Sequence, residues 1–246
     1  MINDYEIVDL TQPLSEATPV IKLPPPFANT PGLSREEISR YNDAGPAWAW
    51  YTLTLGEHVG THLDAPIHWV TGQDGNDVAS VPPTQLVGPA CVVDKTAETE
   101  HDNGYLLTRE DLESWEQENG PFPDRAWVLL RTGWQSRAQD ETAFLNVQGD
   151  GPVTPGPDVE ASKWLASHGN VSGFGTETVG IDAGAAGGFD PPFPLHNLLL
   201  GAGRLGLTQL ANLDKLPITG ATIVVSPLKL VGGTGSPSRV FAFVPR

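Results

Sequence analysis

LVGPACVVD (86–94), LTREDLESWEQENG (107–120) and AWVLLRTGW (126–134) read in succession as strand, helix and strand. The two apolar runs are short and rich in Val, Leu and Trp, the pattern of buried strands. The polar stretch between them carries Thr108 as an N-cap, Asp111 in capping-box position and Gly120 as a stop, which marks a surface helix. Toward the N-terminus, YEIVDLT (5–11) reads as a first strand, Pro13 to Pro31 as a Pro-rich loop, and AWAWYTLTL (47–55) as a further strand. Toward the C-terminus, PGPDVEASKWLASHG (155–169) reads as a helix and GFGTETVGID (173–182) as a strand ending in a polar turn. Residues 195–203 read as a short helix and RLGLTQLANL (204–213) as a strand or strand edge. ATIVVSPLKLVG (221–232) and SRVFAFV (238–244) read as closing strands. Strands outnumber helices and the order is mixed, which predicts an α/β fold with a mostly β core and helices packed outside. No repeat and no break in composition divides the chain, so residues 1–246 are expected to form a single domain.

A chain of 246 residues buries roughly three quarters of its unfolded surface, so it needs no metal merely to fold. Any metal site is then expected to be catalytic. Fourteen basic against thirty acidic residues give a net charge of −16, and no Lys/Arg stripe offsets it, which argues against nucleic acid or an anionic membrane as partner. Cys91 is the sole cysteine, which rules out an intrachain disulfide and a Cys-based zinc cluster; it reads as a core residue. MINDYEIVDL has acidic residues where a signal peptide would be basic, and no run of eighteen apolar residues occurs, so a cytoplasmic location is the expectation. With 23 Pro and 27 Gly, many connections must be ordered loops, where sites usually sit.

Of six histidines, three fall within eleven residues: His58, His62 and His68 in HVGTHLDAPIH (58–68), with Asp64 among them. Neutral imidazoles with a carboxylate suit a divalent transition metal such as Zn²⁺, Mn²⁺ or Fe²⁺. His58 and His62 would share one face of a helix, but Gly60, β-branched Thr61 and Pro66 argue instead for an irregular loop leaving the 47–55 strand. Glu177 and Asp182 read as polar turn residues or as part of the site lining. GGTGSPSR (232–239) is glycine-rich but lacks the lysine of a phosphate-binding loop and a helix to follow it. No G-x-S-x-G occurs, which sets aside a serine hydrolase.

The segment resembles the HxGTHxDxPxH pattern of the cyclase family, which includes kynurenine formamidases and isatin hydrolases. It matches at His58, Gly60, Thr61, His62, Asp64, Pro66 and His68. DLTQPLSEATP (9–19), GID (180–182), PLHNLLLG (194–201), LANLDKLP (210–217) and PLKLVGGTGSPSR (227–239) extend the resemblance along most of the chain. It implies a domain of the swivelling β/β/α type that hydrolyses an amide or lactam C–N bond beside an aromatic or cyclic group. It implies His58, His62 and Asp64 as metal ligands, and His68 as the proton-transfer residue or a ligand to a second metal. It makes His196 the downstream histidine of the site. Gln209 stands among the ligand positions where kynurenine formamidases resemble one another in having glutamate. A neutral amide there favours one ion, with Mn²⁺ preferred and Zn²⁺ the alternative.

An ion so held lowers the pKa of a bound water and polarises a carbonyl, with His68 the natural base. Trp48, Trp50, Tyr51 and Trp69 lie close to the histidines in sequence, and Phe189 and Phe193 precede His196; some could wall a flat apolar pocket. The expected substrate is a small aromatic or cyclic amide, an isatin-like lactam first. N-formylkynurenine, a lactone or a cyclic imide are the alternatives, and a non-catalytic metal-binding module is the competing class. The Pro-rich arm and the resemblance imply a homodimer or homotetramer.

Overall fold

The computed structural model describes residues 2–149 and 151–246. Its central element is a ring of seven strands: β4 (His62–Asp64), β5 (Val87–Asp94), β7 (Ala126–Arg131), β11 (Val171–Thr176), β12 (Leu205–Thr208), β13 (Ala221–Pro227) and β14 (Gly235–Pro245). The order around the ring is β14-β13-β5-β7-β11-β12-β4, and β4 closes it by pairing with β14 as well as β12; β1 (Tyr5–Asp9) is added to β14 from outside. Strands β5, β7, β11 and β12 run parallel to one another, while β13, β14 and β4 pair antiparallel. Closure removes the open edges that a sheet of this size would otherwise expose.

The unbroken apolar run of β7 follows from its two buried faces. Trp127 and Leu129 join Val92, Leu63, Leu205, Leu207, Ile223 and Val225 in one core, contributed by strands all round the ring. Their neighbours Val128 and Leu130 face a second core with Cys91, Val93, Leu112, Trp115 and Leu165. That second core lies under α2 (Arg109–Asn119) and α4 (Val159–Ser167). Strands β5 and β7 thus alternate between a core shared within the ring and one shared with helices, which leaves little room for polar residues along them. The expected α/β architecture with a mostly β core and outer helices is the one found.

The caps of α2 are as read from the sequence. Thr108 accepts from the Asp111 N–H, Asp111 accepts from the Thr108 N–H, and Gly120 ends the helix. Other boundaries differ. Helix α4 begins at Val159, capped by Asp158, because Gly156–Pro157 (β10) instead pairs with Leu106–Leu107 (β6). Strand β11 stops at Thr176 and β12 at Thr208, where Gln209 turns to φ +53° and breaks the extended run. Residues 196–200 wind as a π-helix. Short helices α1 (Thr96–His101) and α3 (Glu141–Leu145) and a small pair, β8 (Val147–Gln148) with β9 (Gly151–Pro152), complete the elements beside 3₁₀ turns.

The 47–55 strand exists as β3 (Gly45–Thr54), but it belongs to no part of the ring. It pairs with β2 (Ser34–Asn42), a strand not foreseen from the sequence, in a two-stranded hairpin exposed on both faces. Ile38, Tyr41, Trp48, Trp50 and Leu53 are all exposed on it. Among the described residues no helix is long and apolar enough to cross a membrane.

Candidate metal centre

The histidine segment follows hairpin strand β3 and enters the ring as β4. Between the two, Gly60 adopts φ +65°, which a side chain would strain, and turns the backbone so that the Gly60 carbonyl accepts from His62 Nδ1 at 2.7 Å. In β4 the side chains alternate: Leu63 points into the ring core, while His62 and Asp64 share the opposite face. The cross-strand neighbours of Asp64 are Gly206 on β12 and Gly235 on β14, and neither has a side chain to fill the space around the carboxylate. The 3₁₀ turn Pro66–His68 brings His68 back over His58, their rings stacked at 4.0 Å. His196 arrives from the π-helix, with Nε2 at 3.9 Å from Asp64 Oδ2.

Hydrogen-bond roles fix what the nitrogens can do. Thr234 Oγ1 donates to Glu57 Oε2 at 2.6 Å, so it accepts from His58 Nε2 at 2.9 Å, and Nε2 carries the proton. In the neutral ring, His58 Nδ1 then turns a bare lone pair on Asp64 Oδ1, 2.8 Å away. His62 Nδ1 donates to the Gly60 carbonyl, which leaves its Nε2 lone pair facing the same oxygen at 3.4 Å. His196 Nδ1 donates to Asp182 Oδ2, which leaves its Nε2 facing Asp64 Oδ2. With His58 and His62 neutral, two lone pairs face one buried carboxylate, an arrangement that a cation among them would relieve. A divalent ion fits this donor set, and each imidazole has the far-side acceptor that ligand histidines commonly have. His58, Asp64 and His68 also offer donor atoms that all lie within 4.8 Å of one another.

Electrostatics follow the same geometry. Burial would raise the Asp64 carboxyl, but the positive charge of His62 and His58 in their protonated forms holds it well below the usual carboxylate range. Burial pushes His68 down to about 4; Asp64 opposes this, while the charges of His58, His196 and His62 reinforce it. His196 is raised despite its burial, because it is hydrogen-bonded to Asp182 and attracted by Asp182 and Asp64. Among the described residues no protein group hydrogen-bonds the His68 ring. A neutral, unanchored imidazole thus sits beside one held toward its charged form.

The aromatic residues divide into two groups. Trp69 lies 4.9 Å from the His196 ring and so reaches the histidines, with Phe193 5.8 Å behind it. Trp48, Trp50 and Tyr51, expected from sequence to be candidate pocket walls, are not brought there within one chain. Trp48 and Trp50 pack edge-on against each other on the exposed hairpin, and Tyr51 lies under Arg35. Sequence proximity misled because β3 runs out into the hairpin before the chain turns back at Gly60. Gln209 is buried beside Thr208, which approaches His62 Nδ1 at 3.0 Å, but the Gln209 amide is aimed at the Pro19 carbonyl at 3.4 Å. A hollow of about 10 Å³ next to Gln209 has room for about one water. A larger cleft of about 110 Å³ opens beside His196, lined by Leu145, Val147, Val179, Ala183 and Phe193. Asp182, read only as a turn residue or lining, proves to anchor both His196 and the turn before it, by accepting from the N–H groups of Leu195 and His196. Glu177 is instead a buried structural acceptor for Thr132 and Trp134. Glu57, Thr208 and Thr234 were not singled out, since nothing local in their sequence marks them as neighbours of the histidines.

The cyclase family model matches residues 8–183. The chain belongs to the cyclase family. Among its relatives, the isatin hydrolase of Roseibium aggregatum is 46% identical over 246 residues, covering 99% of this chain and 93% of that protein. The kynurenine formamidase of Salinibacter ruber is 30% identical over 189 residues, 76% of either chain. An isatin hydrolase bound to the product analogue thioisatinate shares the fold at a TM-score of 0.96 and 45% identity, covering 99% of this chain and 94% of that one. This member of the cyclase family therefore resembles the isatin hydrolase along nearly its whole length and the Salinibacter ruber kynurenine formamidase along three quarters of it.

Proposed function

We propose that the protein is a metal-dependent hydrolase that opens the lactam C–N bond of isatin or a closely related cyclic amide. The observation that carries the reading is the convergence of His58, His62 and Asp64, with His196 behind them, in a chain 46% identical to an isatin hydrolase. His58, His62 and Asp64 are the proposed ligands of one divalent ion, Mn²⁺ before Zn²⁺. Gln209, whose amide is turned to the Pro19 carbonyl, brings no second carboxylate to the centre, which favours one ion over two. When bound, such an ion polarises the substrate carbonyl and makes a coordinated water more acidic.

The chain's own residues supply the rest. His68, neutral and without a hydrogen-bonding anchor, takes a proton from the attacking water and returns it to the departing ring nitrogen. Water adds to the amide carbon, the C–N bond breaks, and the products are a carboxylate and an amine on the same molecule. His196, held by Asp182, places positive charge where the carbonyl oxygen becomes negative. The apolar cleft is of the order of the roughly 150 Å³ cavity known to bind benzene, which suits the substrate's aromatic ring against Phe193, with Trp69 alongside.

The chain is read as one domain throughout, acting in the cytoplasm as a homo-oligomer. The hairpin supports the last point: two strands with both faces in solvent are marginal alone, and its exposed Trp48, Trp50 and Leu53 suit a second copy. Sedimentation at micromolar concentration tests this, and a 26 kDa species alone would sink it. The central test is hydrolysis of isatin against N-formylkynurenine, with and without chelator, alongside metal analysis. Isatin turnover lost on chelation is expected; a preference for N-formylkynurenine would move the reading to a formamidase. His62→Ala should lose both metal and activity.

A further inference from the structure

The glycine-rich stretch GGTGS (232–236) lies directly against His58. We propose that Thr234, seated on this loop and held by Glu57, is a positioning residue that fixes the tautomer of His58 for metal binding. The inference rests on the reading of His58 as a ligand and goes beyond it.

Three contacts make the loop a support rather than a chance neighbour. The Thr234 carbonyl accepts from the Ala65 N–H at 2.9 Å, which ties the loop to the chain just after Asp64. Thr234 gives both its N–H, at 2.9 Å, and its hydroxyl proton, at 2.6 Å, to the same oxygen of Glu57. Gly235 lies under the His58 ring so closely that a Cβ there would meet Cε1 at 2.4 Å.

The direction of the bonds then follows from what each group can do. A carboxylate only accepts, so the Thr234 hydroxyl must point its hydrogen at Glu57 and its lone pair at His58 Nε2. His58 is thereby held with its proton on Nε2 and its lone pair on Nδ1, the nitrogen that faces Asp64. Without the hydroxyl, the ring can place a proton on Nδ1 and donate it to Asp64 Oδ1. That closes the metal position with an internal hydrogen bond, which an incoming ion must first break. The adjacent order Glu57-His58 places both ends of this relay on one short segment, and Thr234 bridges them from 176 residues away.

The test uses the full chain as wild type, Thr234→Val, which keeps the shape and removes the hydroxyl, and Thr234→Ser, which restores it. Zn²⁺ affinity is measured by chelator competition, and the His58 tautomer by ¹⁵N NMR of histidine-labelled protein. Thr234→Val should bind Zn²⁺ about 10–100-fold more weakly, the usual loss for a group that orients a ligand, with Thr234→Ser close to wild type. Wild-type His58 should show its proton on Nε2. Equal affinity in wild type and Thr234→Val overturns the proposal while leaving the metal centre standing, as does a Thr234→Ser variant as weak as Thr234→Val. A wild-type chain that takes up no ion overturns the metal centre itself, and this inference with it. Should Thr234→Val fail to fold, the wild-type spectrum at a pH where the His58 ring is neutral decides: a proton on Nδ1 and none on Nε2 overturns the assignment.

Discussion

Gly235→Ala should cripple the centre without replacing any proposed ligand. Strand β14 lays Gly235 opposite Asp64, and the added methyl would stand 2.4 Å from His58 Cε1, 2.8 Å from His58 Nδ1 and 2.7 Å from the Leu63 carbonyl. Ordinary contact begins near 3.4 Å, so about 1 Å of opening is required. The Leu63 carbonyl belongs to β4, which is paired on both edges and cannot retreat alone. His58 is the freer partner, so its ring turns away from Asp64. A misplacement of about 1 Å in a catalytic constellation costs about 10²-fold in rate. Forcing a methyl into a packed site costs about 1–3 kcal/mol of stability. The assay is turnover and metal affinity against wild type, with Gly169→Ala as control, since a Cβ at Gly169 meets nothing within 4 Å. Wild-type metal affinity and turnover in Gly235→Ala would refute the claim that this backbone approach shapes the site.

His68→Ala should keep metal near the wild-type level while activity falls by about 10²–10⁴-fold, the usual contribution of a positioned base; metal lost in proportion to activity would make His68 a ligand instead. Because His68 is held down to about 4, its neutral form persists on acidification, and the acidic limb of the rate–pH profile should fall through about 4 rather than 6.5 and vanish in His68→Ala. Asp182→Asn removes the negative partner of His196, so the raised titration of His196 should drop in a histidine NMR series and turnover should fall about 10–100-fold; an unmoved titration would refute the anchoring role. Burial pushes the Cys91 thiol up to about 12, so alkylation should require unfolding, and rapid labelling of the native chain would contradict its place under the helices.

The sequence by itself determined the elements whose cause is local. The caps of α2 were legible because Thr108, Asp111 and Gly120 bond to backbone within one helical turn. The apolar runs of β5 and β7 were legible because burial on both faces leaves no polar position to disguise them. His58, His62, Asp64 and His68 stood out because a short turn-and-strand segment can present them together, with Gly60 supplying the one positive φ it needs. Only the tertiary structure decided what depends on partners far along the chain. An isolated strand pattern does not say whether its edges close into a ring or pair in a free hairpin, so β2, β3 and the placement of Trp48, Trp50 and Tyr51 were out of reach. The roles of the His58 and His196 nitrogens likewise rest on Thr234 and Asp182. Closure of the ring brings β12 and β14 to either side of β4, and the turn after β11 delivers Asp182 to His196. The proposed ligands therefore lie in one segment of eleven residues, whereas the hydrogen bonding of His58 and His196 is set by Thr234, 176 residues from His58, and by Asp182 across a loop, which only folding brings within reach.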